Sequence, residues 1–72
     1  MTHLSIVIQQ IKERREILKI TQESLADLSG VGLRTIEQLE GGKANPTFNT
    51  LQEIGDVLGL ELVLQVKRLN NL

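Results

Sequence analysis

Residues 21 to 43, from Thr21 to Lys43, read TQESLADLSGVGLRTIEQLEGGK, and this stretch decides the fold. Thr21 is a suitable N-cap because its hydroxyl accepts a helix-end N–H, so Gln22 to Ser29 reads as a short helix with Leu25, Ala26 and Leu28 as its apolar positions. Gly30 ends that helix as a left-handed C′ residue. Gly32 caps a third helix from Leu33 to about Glu40, which Gly41-Gly42 closes. Counting from Gln22, small Ala26 falls where two steeply crossing helices approach most closely. Gly30 falls in a turn that needs positive φ, and Val31, Ile36 and Leu39 point back to the core.

Upstream, Leu4, Val7, Ile8, Ile11 and Leu18 recur at helical spacing and predict an amphipathic helix over about 4 to 18. The β-branched run Ile6-Val7-Ile8 leaves its first turn open. Downstream, Asn45-Pro46-Thr47 is turn chemistry leading into an N-cap. Phe48, Leu51, Ile54 and Leu58 then share one face of a fourth helix that Gly59 stops. From Leu60 the period changes to two: Leu60, Leu62, Leu64 and Val66 alternate with Glu61, Val63, Gln65 and Lys67, a strand over about 60 to 68, ending at Arg68. The chain offers this strand no partner, so it either pairs with another molecule or is a helical extension.

At 72 residues the chain has about half the length of a typical domain of roughly 150 residues, and it is expected to be one domain, 1-72. Forty per cent hydrophobic and 24% charged composition is that of a folding chain. With no cysteine and a single histidine, His3, neither a disulfide nor a metal site nor any cofactor is expected, and a second subunit is the remaining stabilising device. No apolar run is long enough to span a bilayer and no secretory signal opens the chain, which makes the cytoplasm the expected location and a membrane partner unexpected. The net charge of −1 argues mildly against nucleic acid, although Lys12, Arg14, Arg15 and Lys19 outweigh Glu13 and Glu16 in the first twenty residues. Phe48 is the single aromatic, too little for a stacking platform for single strands. Catalysis is not expected: His3 has no nearby partner, and Glu37 and Glu40 lie on a short helix in a chain with little room for a pocket.

The spacing of the two central helices is that of a helix-turn-helix. Thr21-Gln22-Glu23-Ser24-Leu25-Ala26, Gly30-Val31, Thr35-Ile36-Glu37-Gln38-Leu39-Glu40-Gly41-Gly42-Lys43 and Asn45-Pro46 resemble the XRE-type, lambda-repressor and Cro-like domains, over about residues 8 to 60. The resemblance implies a mostly α fold of four to five helices whose third helix docks in the major groove of double-stranded DNA. With about 100° between successive helical residues, Ile36 and Leu39 face the core, and Arg34 and Gln38 face away from it, one turn apart. Arg suits the O6 and N7 edge of guanine and Gln the N6 and N7 edge of adenine. Leu33 and Thr35 flank that face, and Leu33 has two readings, a thymine-methyl contact or packing. Gly32 departs from the small hydroxyl residue the family often carries there, which removes one possible contact.

By the same resemblance Gln22, beside Thr21 at the start of the second helix, contacts the phosphate backbone, where the helix dipole favours an anion. Lys43, Asn45 and the amides of Thr47 and Phe48 are further phosphate candidates, with turn formation the equal alternative for Asn45. The phase count turns Arg15 and Glu40 inward, which reads as a partly buried ion pair, with Arg15 snorkelling to solvent as the alternative. The segment Leu60, Leu62, Val63, Leu64 and Val66 is similar to the C-terminal dimerisation strand of HipB-type antitoxins. That resemblance implies a homodimeric repressor of its own operon with a HipA-like toxin as partner. A protein-interaction adaptor that keeps the fold without specific DNA binding is the rival reading.

Overall fold

The computed structural model describes residues 3–67. Among these, four helices follow one another as α1 (His3–Ile17), α2 (Gln22–Ser29), α3 (Leu33–Glu40) and α4 (Phe48–Leu58), with no strand. The fold is therefore mostly α, as the pattern predicts, with four helices.

Most of the helix boundaries have a local chemical cause. Thr21 accepts the N–H of Ser24 at 3.0 Å and Thr47 accepts that of Thr50 at 3.1 Å, so α2 and α4 both begin on a threonine hydroxyl. Gly32 begins α3 with no side-chain cap, as glycine must. α2 and α4 end on glycines in the left-handed region, Gly30 at φ 76° and Gly59 at φ 72°. α1 ends in the same way but on a lysine: Lys19 has φ 58°, and Ile20 N–H reaches back to Arg15 O at 3.2 Å. The β-branched run Ile6 to Ile8 is helical throughout.

Leu25, Ile36, Leu39, Ile54 and Leu58 are fully buried and, with Ile8, Ile11 and Val31, form one core to which all four helices contribute. α2 packs on α3 and α4, and α1 packs on the same two helices. Removing each of those side chains from water contributes about 1.5 to 3 kcal/mol, which makes this cluster the main source of stability. Arg14 joins α1 to the far end of α4, donating from Nε to Leu58 O at 2.8 Å, a favourable place for a cation at a helix C-terminus.

Three of the apolar positions read from the helical pattern lie outside the core. Leu18 is exposed because α1 stops at Ile17 and the chain turns there, so the helical phase no longer applies. Leu28 sits on the outer side of α2, and Phe48, at the first residue of α4, is 55% exposed. The expected strand is not formed among the described residues, and Arg68 lies outside them. Residues 60–67 have no β partner among the described residues; Leu60 and Leu62 are half-buried, whereas Val63, Leu64 and Val66 are exposed. Leu60 is tied to α4 by its N–H to Gly55 O at 2.8 Å. A methyl at buried Gly55 would stand 3.1 Å from Leu60 O, so the absence of a side chain lets the tail leave along the helix. Against the expectation of little room for a pocket, an open groove of about 440 Å³ lies between the helices and this tail, lined by Val7, Phe48, Leu51, Leu62 and Leu64 among others.

Candidate nucleic-acid interface

The turn between α2 and α3 is short and held by local hydrogen bonds. Gly30 N–H returns to Ala26 O at 3.0 Å, and the Ser29 hydroxyl accepts Val31 N–H at 3.2 Å, so the two helices are locked at their junction by backbone and one side chain. Val31 is buried directly after the turn. This fixes the rotation of α3: Ile36 and Leu39 are fully buried, and Arg34, Thr35, Glu37 and Gln38 are exposed. Arg34 and Gln38 stand one turn apart on the solvent side, and neither side chain has a hydrogen-bond partner among the described residues. Leu33 lies at the edge of that face, just exposed. The loop after α3 is closed by Gly41 N–H to Glu37 O at 3.0 Å, Gly42 N–H to Leu39 O at 3.0 Å and Lys43 N–H to Gln38 O at 2.8 Å. Lys43 and Asn45 are exposed on it.

Thr21 and Thr47 do double duty as caps. Each accepts a backbone N–H, and Thr47 also shares a hydrogen bond with the Thr50 hydroxyl at 3.0 Å. The O–H of Thr21 remains available as a donor toward an anion.

Arg15 and Glu40 meet as a two-pronged pair. Arg15 Nε donates to Glu40 Oε2 at 2.7 Å and Nη2 to Oε1 at 2.8 Å, and Nη1 donates to Ile20 O at 2.9 Å. The side chains are 13% and 4% exposed, so Arg15 runs inward and does not snorkel. Burial alone would push the Glu40 carboxyl up, but hydrogen bonds from Arg15 and Gln22, then the charges of Arg15 and Lys12, outweigh it and hold the group below its ordinary value. The hydrogen bond to Glu40 raises Arg15 in turn, against its own desolvation.

The pattern of the chain did not reveal two participants in this cluster. Gln22 Nε2 donates to Glu40 Oε1 at 3.0 Å, so the residue assigned to phosphate also belongs to the ion pair. Lys12 lies close enough to lower the Glu40 carboxyl, and the available signal was its place one turn before Arg15. Within the basic first segment, Arg14 and Arg15 each direct an Nε donor inward, to Leu58 O and to Glu40.

The helix-turn-helix family model matches residues 11–65, more than half of the chain, and this protein belongs to that family, in its XRE-type branch. It is 35% identical over 63 residues to an uncharacterized HTH-type transcriptional regulator of Sinorhizobium fredii, covering 88% of this chain and 32% of that protein. It is 41% identical over 51 residues to an uncharacterized HTH-type transcriptional regulator of Methanothermobacter thermautotrophicus, covering 71% of this chain and 74% of the relative. The chain thus spans about a third of the first relative and about three quarters of the second. No solved structure matches it. Among the described residues no helix is long and apolar enough to cross a membrane.

Proposed function

We propose that this chain is a sequence-specific double-stranded-DNA-binding transcriptional regulator that represses by occupying a promoter as a homodimer. The observation that carries the reading is the division of α3, with Ile36 and Leu39 fully buried while Arg34 and Gln38 stand exposed and unengaged among the described residues. A helix held that rigidly and presenting those two side chains suits base edges in the major groove. Leu33 and Thr35 flank the readout, and Thr21, Gln22, Lys43, Asn45 and Thr47 supply phosphate contacts that set register. The names of both relatives support a regulator. Acting on promoter DNA places the protein in the cytoplasm, and no catalytic role is part of this reading.

The exposed apolar tail supports the homodimer. Leu64 and Val66 have no cover among the described residues, and a second copy of the tail pairs with the first through Leu60, Leu62, Val63, Leu64 and Val66. On the narrower reading the protein is an antitoxin and autorepressor, and its HipA-like toxin partner is encoded beside it. Selection from a random duplex pool, followed by titration of the selected and scrambled duplexes at two salt concentrations, tests the reading. A regulator keeps its preferred site as salt rises, whereas an adaptor shows no site preference.

A further inference from the structure

The cluster beneath α2 contains a bond that the ion pair itself does not require. The Arg15 fork already supplies a donor to each Glu40 oxygen, at 2.7 and 2.8 Å. A third donor, Gln22 Nε2 at 3.0 Å, comes from the first residue of α2, next to the cap Thr21. On the other side of that cap, Arg15 Nη1 holds the carbonyl of Ile20 at 2.9 Å. The guanidinium fixes the chain where it enters α2, and the carboxylate fixes the first side chain of the helix.

We propose that Glu40 is a positioning residue for DNA binding that acts through Gln22: locked by Arg15, its carboxylate holds the Gln22 amide in one rotamer and leaves the second Nε2 hydrogen for a backbone phosphate. The inference rests on the DNA-binding reading above. A glutamine amide has two N–H donors, so engaging one leaves the other free. A long flexible side chain loses rotamer freedom on binding, and one already fixed has less to lose. The carboxylate does not repel the phosphate strongly because Arg15 matches its charge at contact distance and its side chain is 4% exposed.

The test measures operator affinity for wild type, Gln22→Ala, the paired variant Arg15→Met with Glu40→Met, and the triple variant, with a urea melt on each. Apolar replacement of a buried ion pair commonly preserves the fold, so the paired variant removes the carboxylate and keeps the helices. Gln22→Ala is expected to lower affinity about tenfold in wild type, the worth of one charge-assisted hydrogen bond. In the paired background it is expected to lower it less than about twofold, a coupling between Gln22 and the pair. Equal losses in the two backgrounds, or none in wild type, overturn the inference. Side-chain amide NMR needs no variant: the Gln22 Nε2 hydrogens are expected to be restricted relative to those of exposed Gln52, and averaging like that of Gln52 overturns it too. A wild-type protein with no preferred duplex would instead overturn the DNA-binding reading.

Discussion

Arg34 and Lys43 are both exposed cations, yet their places predict different defects. Arg34 stands on the outer face of α3, where its planar fork would meet one base pair, and Arg34→Ala is expected to weaken operator binding by about 1 to 3 kcal/mol and relax preference at one position per half-site. Lys43 lies on the loop after α3, and Lys43→Ala is expected to weaken all duplexes alike and flatten the salt slope by about one unit. Titrations of single-base operator variants at several salt concentrations separate the two, and swapped phenotypes would reverse the assignment. Glu40 makes a stability claim as well. With its side chain 4% exposed, Glu40→Ala takes both carboxylate acceptors from a part-buried guanidinium, which keeps only Ile20 O, and is expected to cost about 1.5 to 3 kcal/mol in urea melts, with a non-additive cycle against Arg15→Ala. The lowered carboxyl fixes the sign of the pH effect. The unfolded chain takes up the proton first, so the pair's contribution is complete above the ordinary value of 4.5 and is lost as pH falls through the lower folded value. Acid melts of wild type against Glu40→Gln should show that loss in wild type and a flatter profile in the variant.

The elements owe their boundaries to single residues, and the ends of α1 and α2 invite opposite substitutions. Lys19 occupies the left-handed region at φ 58°, a conformation that costs an L side chain about 1 kcal/mol, so Lys19→Gly is expected to stabilise the fold by about 0.5 to 1 kcal/mol. Gly30 has φ 76° and open space where a methyl would stand, so Gly30→Ala should destabilise by about 1 kcal/mol through the backbone alone. Thermal melts of the two variants should move in opposite directions, and a stabilising Gly30→Ala would contradict the argument. These ends also mark what the pattern of residues reveals. Gly30, Gly42 and Gly59 announce their turns because glycine is the default left-handed residue, whereas Lys19 carries no such signal. Periodicity places Ile36, Leu39, Ile54 and Leu58 inside, but it misplaces Leu18, Leu28 and Phe48 because a short helix has a narrow buried stripe and its ends leave the phase. The inward phase of Arg15 and Glu40 follows from counting residues, while the arrival of Gln22 depends on how α2 meets the end of α3, a tertiary relation.

At the scale of the whole molecule the four helices share one core and the described end of the tail stands outside it. Leu64 and Val66 expose nearly all of their side chains, and covering each contributes about 1.5 to 3 kcal/mol, a large share for so small a domain. A charge at the middle of the alternating face, Leu64→Lys, is expected to give monomers and to lose operator binding at the same time. Sedimentation of wild type and variant at micromolar concentrations checks it, and a monomeric wild type would remove the homodimer from the proposed function. The alternation of the tail is legible in one chain, but a single chain's pattern holds no record of a second. The anchoring of Leu60 on the side-chain-free edge of Gly55 adds a metric consequence. If Glu61 to Lys67 pairs antiparallel with its mate about residue 64, the two anchors lie eight strand steps apart, about 27 Å. The tail is then a ruler held at both ends, and its length in residues sets the distance between recognition helices. Two residues inserted after Leu60 would lengthen it by about 13 Å, and the half-sites selected from a duplex pool would move apart by up to about four base pairs.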